Sequence, residues 1–388
     1  MVVEEGDRRA GGARKKMAEK AEAAKFIKLG EGFTGDMHIQ AQVEEWLEDH
    51  LMGDKAESTQ KAYQAAWKKW CDWARRQGWL TPYLDHKADS VSNENRILGY
   101  IGYLGWLGTS VASLKQAIFA IKDGHKRAGY GDATSRMHRL WIVLNALERQ
   151  AVKRPRRLGV TVPMLKWVGE HLEGGATAYG ELKVDCRMLQ AALLTAWFFM
   201  LRAREFADSS GVDMEMVVPG QDILLTVNGE AVEKEAEEAT LQFRKTKADQ
   251  EGFGTCRTMV RTGVQYVCVV EALERLREAA PRRFGRGPEA HLPLFRWGGG
   301  AVLKRLEVQN ILQKAARAVG LPAERFQSHS LRIGGASALY QATGEVEVVK
   351  RTGRWTSSAV HRYLHDSGDV VKGLSKKMAA VDQYVHYT

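Results

Sequence analysis

"TGRWTSSAVHRYLH", residues 352 to 365, sets Trp355 and Tyr363 eight positions apart near the end of a basic chain. Read alone, the stretch is a short helical end whose aromatics pack. A phenol, with a reference pKa of about 10, attacks as a nucleophile only where cations surround it. The reading of Tyr363 therefore depends on what the sequence places upstream.

Working back, "SHSLRIGGASALY" (328 to 340) carries His329 and Arg332 at H-x-x-R spacing and opens a helix with small residues behind it. Positions i and i+3 share a helix face, so both side chains can converge on one anion, and the helix N-terminus adds free N–H groups. Further back, the apolar run "MLQAALLTAWFFML" (188 to 201) reads as a buried helix, from whose edge Arg202 and Glu205 emerge in "RAREFA". Between these blocks, "RKTKADQEG" (244 to 252) carries Lys245 and Lys247 on a β-hairpin. Each piece also has a plain structural reading: Arg202 with Glu205 as a helix-end ion pair, His329 as a cap, Trp355 as a core ring.

The rest of the chain sets the frame. Its 388 residues are too many for one ordinary core and suit two domains plus tails. A net charge of +10 points to a polyanionic partner, nucleic acid or an anionic membrane surface, with a solubilising balance as the plain alternative. Cys71, Cys186, Cys256 and Cys268 are scattered without a CxxC pair, which argues against a zinc ribbon or a disulfide scaffold and for a reducing compartment. No apolar run reaches the roughly 18 residues of a membrane helix. A soluble, intracellular protein is expected.

Several easy motifs fail. "RWGGGAV" (296 to 302) lacks the GK[ST] of a phosphate loop. His361 and His365 stand at metal-ligand spacing, but the Glu of HExxH and a third ligand are missing. No GxSxG turn occurs.

Residues 1 to 38 form a flexible, basic arm in this reading, with "RKK" at 14 to 16 as a nuclear address or a phosphate contact. Residues 39 to 151 repeat a helical period and predict a bundle. In "STQKAYQAAWKKWCDWARRQG" (58 to 78), Tyr63, Trp67, Trp70 and Ala74 form the apolar stripe, Ser58 or Thr59 caps, and Gly78 stops the helix. That stripe is read as core rather than as a base-stacking platform, and Lys61, Lys68 and Lys69 lie on the helix's outer surface as candidate contacts to the polyanionic partner. A last helix is expected over 133 to 151. "VKRPRRLG" (152 to 159) is a linker whose Lys153, Arg154, Arg156 and Arg157 suit phosphates.

Residues 160 to 388 predict a second domain. It has strands over 222 to 227, 240 to 245 and 256 to 261, a solvated acidic extension at 229 to 239, and helices around them. The fold class is mainly α with a small antiparallel β-sheet. In the tail, Leu374, Met378, Val381 and Val385 share one face of an amphipathic helix.

Arg202 with Glu205, the hairpin lysine, His329 with Arg332, then Trp355 and Tyr363 in this order resemble the tyrosine recombinases of the phage-integrase family. "KTKADQEGFGT" and "GRWTSSAVHRYL" are most similar to the eukaryotic transposon-borne, Crypton-like branch. The resemblance covers most of the chain and implies a helical core-binding domain, a linker and a catalytic domain. It implies that Arg202 and Arg332 hold the non-bridging oxygens of a phosphodiester, with Glu205 holding the Arg202 guanidinium and His329 and Trp355 donating beside them. Tyr363 becomes the nucleophile that forms a 3′-phosphotyrosine. Lys247, better placed than Lys245, becomes the acid for the leaving 5′-oxygen. Many phage and bacterial members have nine residues from the His/Trp position to the tyrosine; the shorter step here fits the transposon branch. Neither ATP, metal nor cofactor is implied. The implied partner is double-stranded DNA, bound by a homotetramer in the nucleus. The C-terminal helix docks on a neighbouring protomer or folds back on its own domain. A domesticated, non-catalytic DNA-binding protein that keeps the fold and a type IB topoisomerase that shares the chemistry stand as alternatives.

Overall fold

The computed structural model describes residues 37–52, 54–84, 90–152, 155–173, 183–208, 211, 214, 216–244 and 254–364. The chain divides into two compact units, Met1–Lys153 and Arg154–Thr388.

The first unit holds five described helices: α1 (Met37–Met52), α2 (Glu57–Arg76), α3 (Ser90–Trp106), α4 (Val111–Arg127) and α5 (His138–Gln150). Most of the expected stripe of α2 is core: Trp70 and Ala74 are buried and Trp67 packs on the same cluster, while Tyr63 is half-buried. Trp70 is fully buried among Ile97, Tyr100, Ile118 and Leu140, and its indole N–H donates to the Pro82 carbonyl at 2.9 Å. Gly124 of α4 lies against the Trp67 ring so closely that a Cβ would collide with it, which sets the approach of α2 and α4. His125 is buried beside it. Its Nε2 accepts from the Leu84 N–H at 2.8 Å, which leaves Nδ1 as the donor to the Ile121 carbonyl at 2.7 Å.

Two helix starts differ from the sequence expectation. Helix α2 begins at Glu57 after Ala56, and neither Ser58 nor Thr59 caps it. The preceding turn is fixed instead by Lys55, whose ammonium pairs with Asp123 at 2.7 Å and whose carbonyl accepts from Gln60 at 2.8 Å. Helix α5 starts at residue 138, not 133, because Asp132 Oδ1 takes the Thr134 N–H at 3.0 Å and holds 132 to 135 in a turn. Gly78 does end α2, in the left-handed region at φ 73°.

The second unit places α6 (Val162–Glu173), α7 (Lys183–Phe198), the four-residue α8 (Ala203–Phe206), α9 (Val269–Ala279), α10 (Arg305–Ala318), α11 (His329–Thr343) and α12 (Val346–Gly353) around a sheet. The sheet is antiparallel with order β2-β1-β3-β4: β1 (Ile223–Val227), β2 (Glu230–Ala231), β3 (Glu238–Phe243) and β4 (Thr255–Val260). Ile223 pairs with Leu241 and Leu225 with Ala239, and all four face the core. The chain is mainly α with a small antiparallel sheet. Helix α7 is buried through Met188, Leu189, Leu193, Ala196 and Trp197, as its apolar run requires.

The acidic segment after β1 is not simply a solvated extension. Asn228 and Gly229, both at positive φ, turn the chain into β2. Ala236 then returns to the core, and its N–H donates to Glu274 at 3.0 Å. Behind α11, Gly334 and Gly335 admit the Val160 carbonyl and the Trp197 backbone where any Cβ would clash. Among the described residues, no helix is long and apolar enough to cross a membrane. The N-terminal arm to residue 36, Lys153, Arg154, the hairpin tip with Lys245 and Lys247, and the tail from His365 lie outside the described residues.

Candidate active site

Three chain reversals in the second unit meet at one point. The first follows α7: Met200 adopts φ 49°, and the Leu201 N–H returns to the Ala196 carbonyl at 3.0 Å. This is a left-handed helix stop with methionine where glycine is usual. Arg202 then caps α8, and Glu205 bends back so that its Oε2 accepts the Arg202 N–H at 2.8 Å. The second reversal ends α12. Arg354 takes φ 62°, and the Trp355 N–H closes on Lys350 at 2.9 Å. The third is a 3₁₀ turn over Ser358–Arg362 that delivers Tyr363, whose carbonyl accepts from Ser337 Oγ of α11 at 2.9 Å.

Arg332, from the first turn and a half of α11, lies at the centre and is 1% exposed. Its guanidinium donates to the Met200 carbonyl and, at 2.6 Å, to the Gly353 carbonyl. Both acceptors are carbonyls at helix ends, where the backbone dipoles leave partial negative charge. The Trp355 ring covers the guanidinium at 4.0 Å from Cζ to centroid, and the Tyr363 ring lies 6.0 Å away. Burial, ahead of Arg202 and Arg354, lowers the Arg332 guanidinium, which remains a cation at neutral pH.

His329 meets the Tyr363 ring edge-on at 5.2 Å, and Trp355 meets the same ring at 4.9 Å. Burial, reinforced by Arg332, Arg157, Arg202 and Arg305, pushes His329 down to about 4. It is therefore a neutral imidazole near pH 7. Glu205 is the one carboxylate here among the described residues, and it is fully enclosed. Burial would raise its carboxyl, but Arg354 and Arg202 outweigh that and hold it below the usual carboxylate range.

The structure thus brings together Arg202, Glu205, His329, Arg332, Trp355 and Tyr363. Of the expected DNA contacts, Arg157 is exposed and near enough to His329 to act on it, and Arg156 is exposed with its carbonyl taking Arg325 Nε at 2.8 Å. Lys61, Lys68 and Lys69 are exposed on α2 of the other unit. His361 is exposed, and among the described residues no group of three or more His, Cys, Asp or Glu is placed to hold a metal.

Sequence reasoning missed Arg354, 7% exposed, which forks onto Glu205 and stacks on the Phe243 ring at 3.7 Å. It also missed Arg305, which burial and the nearby Arg204 lower. The available signal for Arg354 was a bulky residue directly after Gly353, where a helix stop favours glycine. Among the described residues the cluster sets three guanidiniums around one carboxylate, with a phenol at its edge, an arrangement whose net positive charge can hold an anion.

The sequence matches no protein-family model and no curated protein. In three dimensions it is similar to the XerH site-specific recombinase bound to palindromic difH substrate in a post-cleavage complex. That likeness has 14% identity, covers 88% of this chain and 84% of that one, and has a TM-score of 0.51. The Tn1549 transposon integrase in complex with transposon right end DNA also matches, at 12% identity over 86% and 98% of the two chains, with a TM-score of 0.49. At such identities the likeness is one of architecture, and the chain has the tyrosine-recombinase fold.

Proposed function

We propose that this protein is a site-specific DNA recombinase of a mobile element that cuts and rejoins DNA through Tyr363. The observation that carries the reading is the placement of the Tyr363 ring against His329 and Trp355, with Arg332 6.0 Å away. A phosphodiester is an anion whose charge concentrates on the non-bridging oxygens as a nucleophile adds. Forked guanidiniums in a desolvated site suit that change. The similar XerH recombinase, bound to its difH substrate after cleavage, supports DNA as the substrate class.

In the proposed step the Tyr363 oxygen forms a bond to phosphorus while the bond from phosphorus to the 5′-oxygen breaks. The phenol proton leaves to solvent or a neighbouring base, and the departing 5′-oxygen takes a proton from Lys247. Arg202 and Arg332 hold the non-bridging oxygens, and neutral His329 and the Trp355 N–H donate to the same group. One phosphodiester replaces another, so the reverse attack by a 5′-hydroxyl reseals the strand without an outside energy source. Lys61, Lys68, Lys69, Lys153, Arg154, Arg156 and Arg157 contact flanking phosphates in this reading, and the protein acts as a tetramer on DNA.

Suicide duplexes tiled across the DNA flanking the protein's own coding sequence test this. A covalent adduct with the wild-type chain, absent in Tyr363→Phe, is expected. Duplex binding without any adduct would overturn the enzymatic reading and leave a DNA-binding protein. Relaxation of a plasmid lacking those sites by a monomer would instead favour a topoisomerase. For Lys247→Ala, a duplex with a bridging sulfur at the 5′ position should restore cleavage, because a thiolate leaves without a proton. Failure of that rescue would move the role to Lys245.

A further inference from the structure

The Glu205 carboxylate is shared unequally between two arginines. Its Oε1 accepts from Arg354 Nη1 at 3.0 Å and from Arg202 Nη1 at 3.2 Å; its Oε2 accepts from Arg354 Nη2 at 2.9 Å and from the Arg202 backbone N–H at 2.8 Å. The two-point fork goes entirely to Arg354. The Arg202 guanidinium contributes one corner to the carboxylate and reaches the Arg354 carbonyl, at 3.4 Å, with another.

Arg354 is held there at a cost. A residue with a Cβ is disfavoured in the left-handed region, and Arg354 sits at φ 62°. Its Nε is buried without a hydrogen-bond partner among the described residues. Glycine would relieve the first cost, and an apolar side chain against Phe243 would avoid the second. Neither could occupy both oxygens of Glu205.

We propose that Arg354 is a positioning residue: by saturating Glu205 it keeps Arg202 from being captured in a two-point ion pair and so leaves Arg202 able to hold the reacting phosphate. This rests on the DNA-cutting reading above. A desolvated carboxylate with a single arginine beside it favours the forked geometry, in which the guanidinium's charge and two donors are spent on the protein. With Arg354 in place, two cations answer one carboxylate, and the excess positive charge faces the anion.

The test compares the full-length wild-type chain with Arg354→Met and Arg354→Lys. In a crystal structure of Arg354→Met, Glu205 should turn both oxygens onto the Arg202 guanidinium. On a suicide duplex that traps the wild type, adduct formation at saturating DNA should slow by about a hundredfold, the scale of one lost oxyanion donor. Duplex affinity should hold. Arg354→Lys should recover little, since an ammonium cannot fork, and Glu205→Gln added to Arg354→Met should restore part of the rate. Arg202 left in its wild-type geometry, or a variant that cleaves like the wild type, would overturn the proposal. So would losses of affinity and thermal stability in step with the rate and without rescue, which mark a merely structural role. If Arg354→Met does not fold, Arg354→Lys supplies the same comparison. If the wild type traps no duplex, the DNA-cutting reading fails, and the position of Arg202 in the variant structure still decides whether Arg354 controls it.

Discussion

Arg332 Nη2 donates to the Gly353 carbonyl at 2.6 Å, and this bond ties the last turn of α12 to the first turns of α11. The carbonyl has no intrahelical partner, being at a helix end, and the guanidinium is buried away from solvent. Each satisfies the other. Because Trp355 follows two residues later and folds back over the same guanidinium, one backbone segment both orients the buried arginine and roofs it.

Gly353 is needed for that fold-back. Its backbone is not left-handed, so alanine carries no strain in φ, but a Cβ would collide with the Trp355 ring. Gly353→Ala is expected to destabilise the second unit by about 1–3 kcal/mol and to move the ring off Arg332. Gly344→Ala is the comparison: it sits at φ 72° with no atom within 4 Å of where its methyl would stand, so only backbone strain of about 1–2 kcal/mol applies. Chemical denaturation of both variants, with adduct formation as a second readout, checks this. Cleavage should fall for Gly353→Ala and persist for Gly344→Ala.

Arg332→Lys keeps the charge and loses the geometry. An ammonium cannot reach the Met200 and Gly353 carbonyls together while lying flat under Trp355. Leaving one buried carbonyl unpaired costs about 1–3 kcal/mol, and loss of a transition-state donor slows cleavage by about 10²–10³-fold. Urea unfolding and single-turnover adduct formation measure the two effects. A lysine variant with wild-type rate would mean that charge alone suffices.

The order Arg202, His329, Arg332, Trp355 and Tyr363 was legible because those side chains carry their chemistry in their names and their spacing. The helices and three main strands followed from apolar periods that burial then enforced, as in α2 and β1. What escaped was of another kind. The Met200 and Gly353 carbonyls have no signature in the alphabet, and a left-handed methionine cannot be told from a right-handed one without its neighbours. Arg354 is one basic residue among 57, and only the fold brings it to Glu205, 149 positions earlier. The starts of α2 and α5 were missed because ion pairs and an aspartate turn from outside the helices fixed them.

His329 gives the site a pH signature. Burial and the surrounding arginines hold it at about 4, against about 6.5 in an unfolded chain. Between those values the unfolded chain binds more protons than the native one. The native state therefore loses stability as pH falls from about 6.5 towards 4, and His329 contributes no pH dependence above about 7. Urea midpoints of the wild type and His329→Gln should run parallel above pH 7 and converge or cross below pH 6, with the wild type falling faster. Parallel curves throughout would show that the imidazole titrates normally.

Trp355 offers two functions that substitution can separate. Its face lies 4.0 Å from the Arg332 guanidinium, a cation–π contact of about 0.5–2 kcal/mol, and its indole N–H is the proposed phosphate donor. Trp355→Phe keeps a ring over Arg332 and removes the donor, so stability should change by less than about 1 kcal/mol while adduct formation slows by about 10²-fold. Trp355→His keeps an N–H and gives up most of the ring contact, so its rate should exceed that of the phenylalanine variant although its stability is lower. Trp355→Ala loses both. Equal rates for the phenylalanine and wild-type chains would assign Trp355 to covering Arg332 and leave donation to His329 and the two arginines.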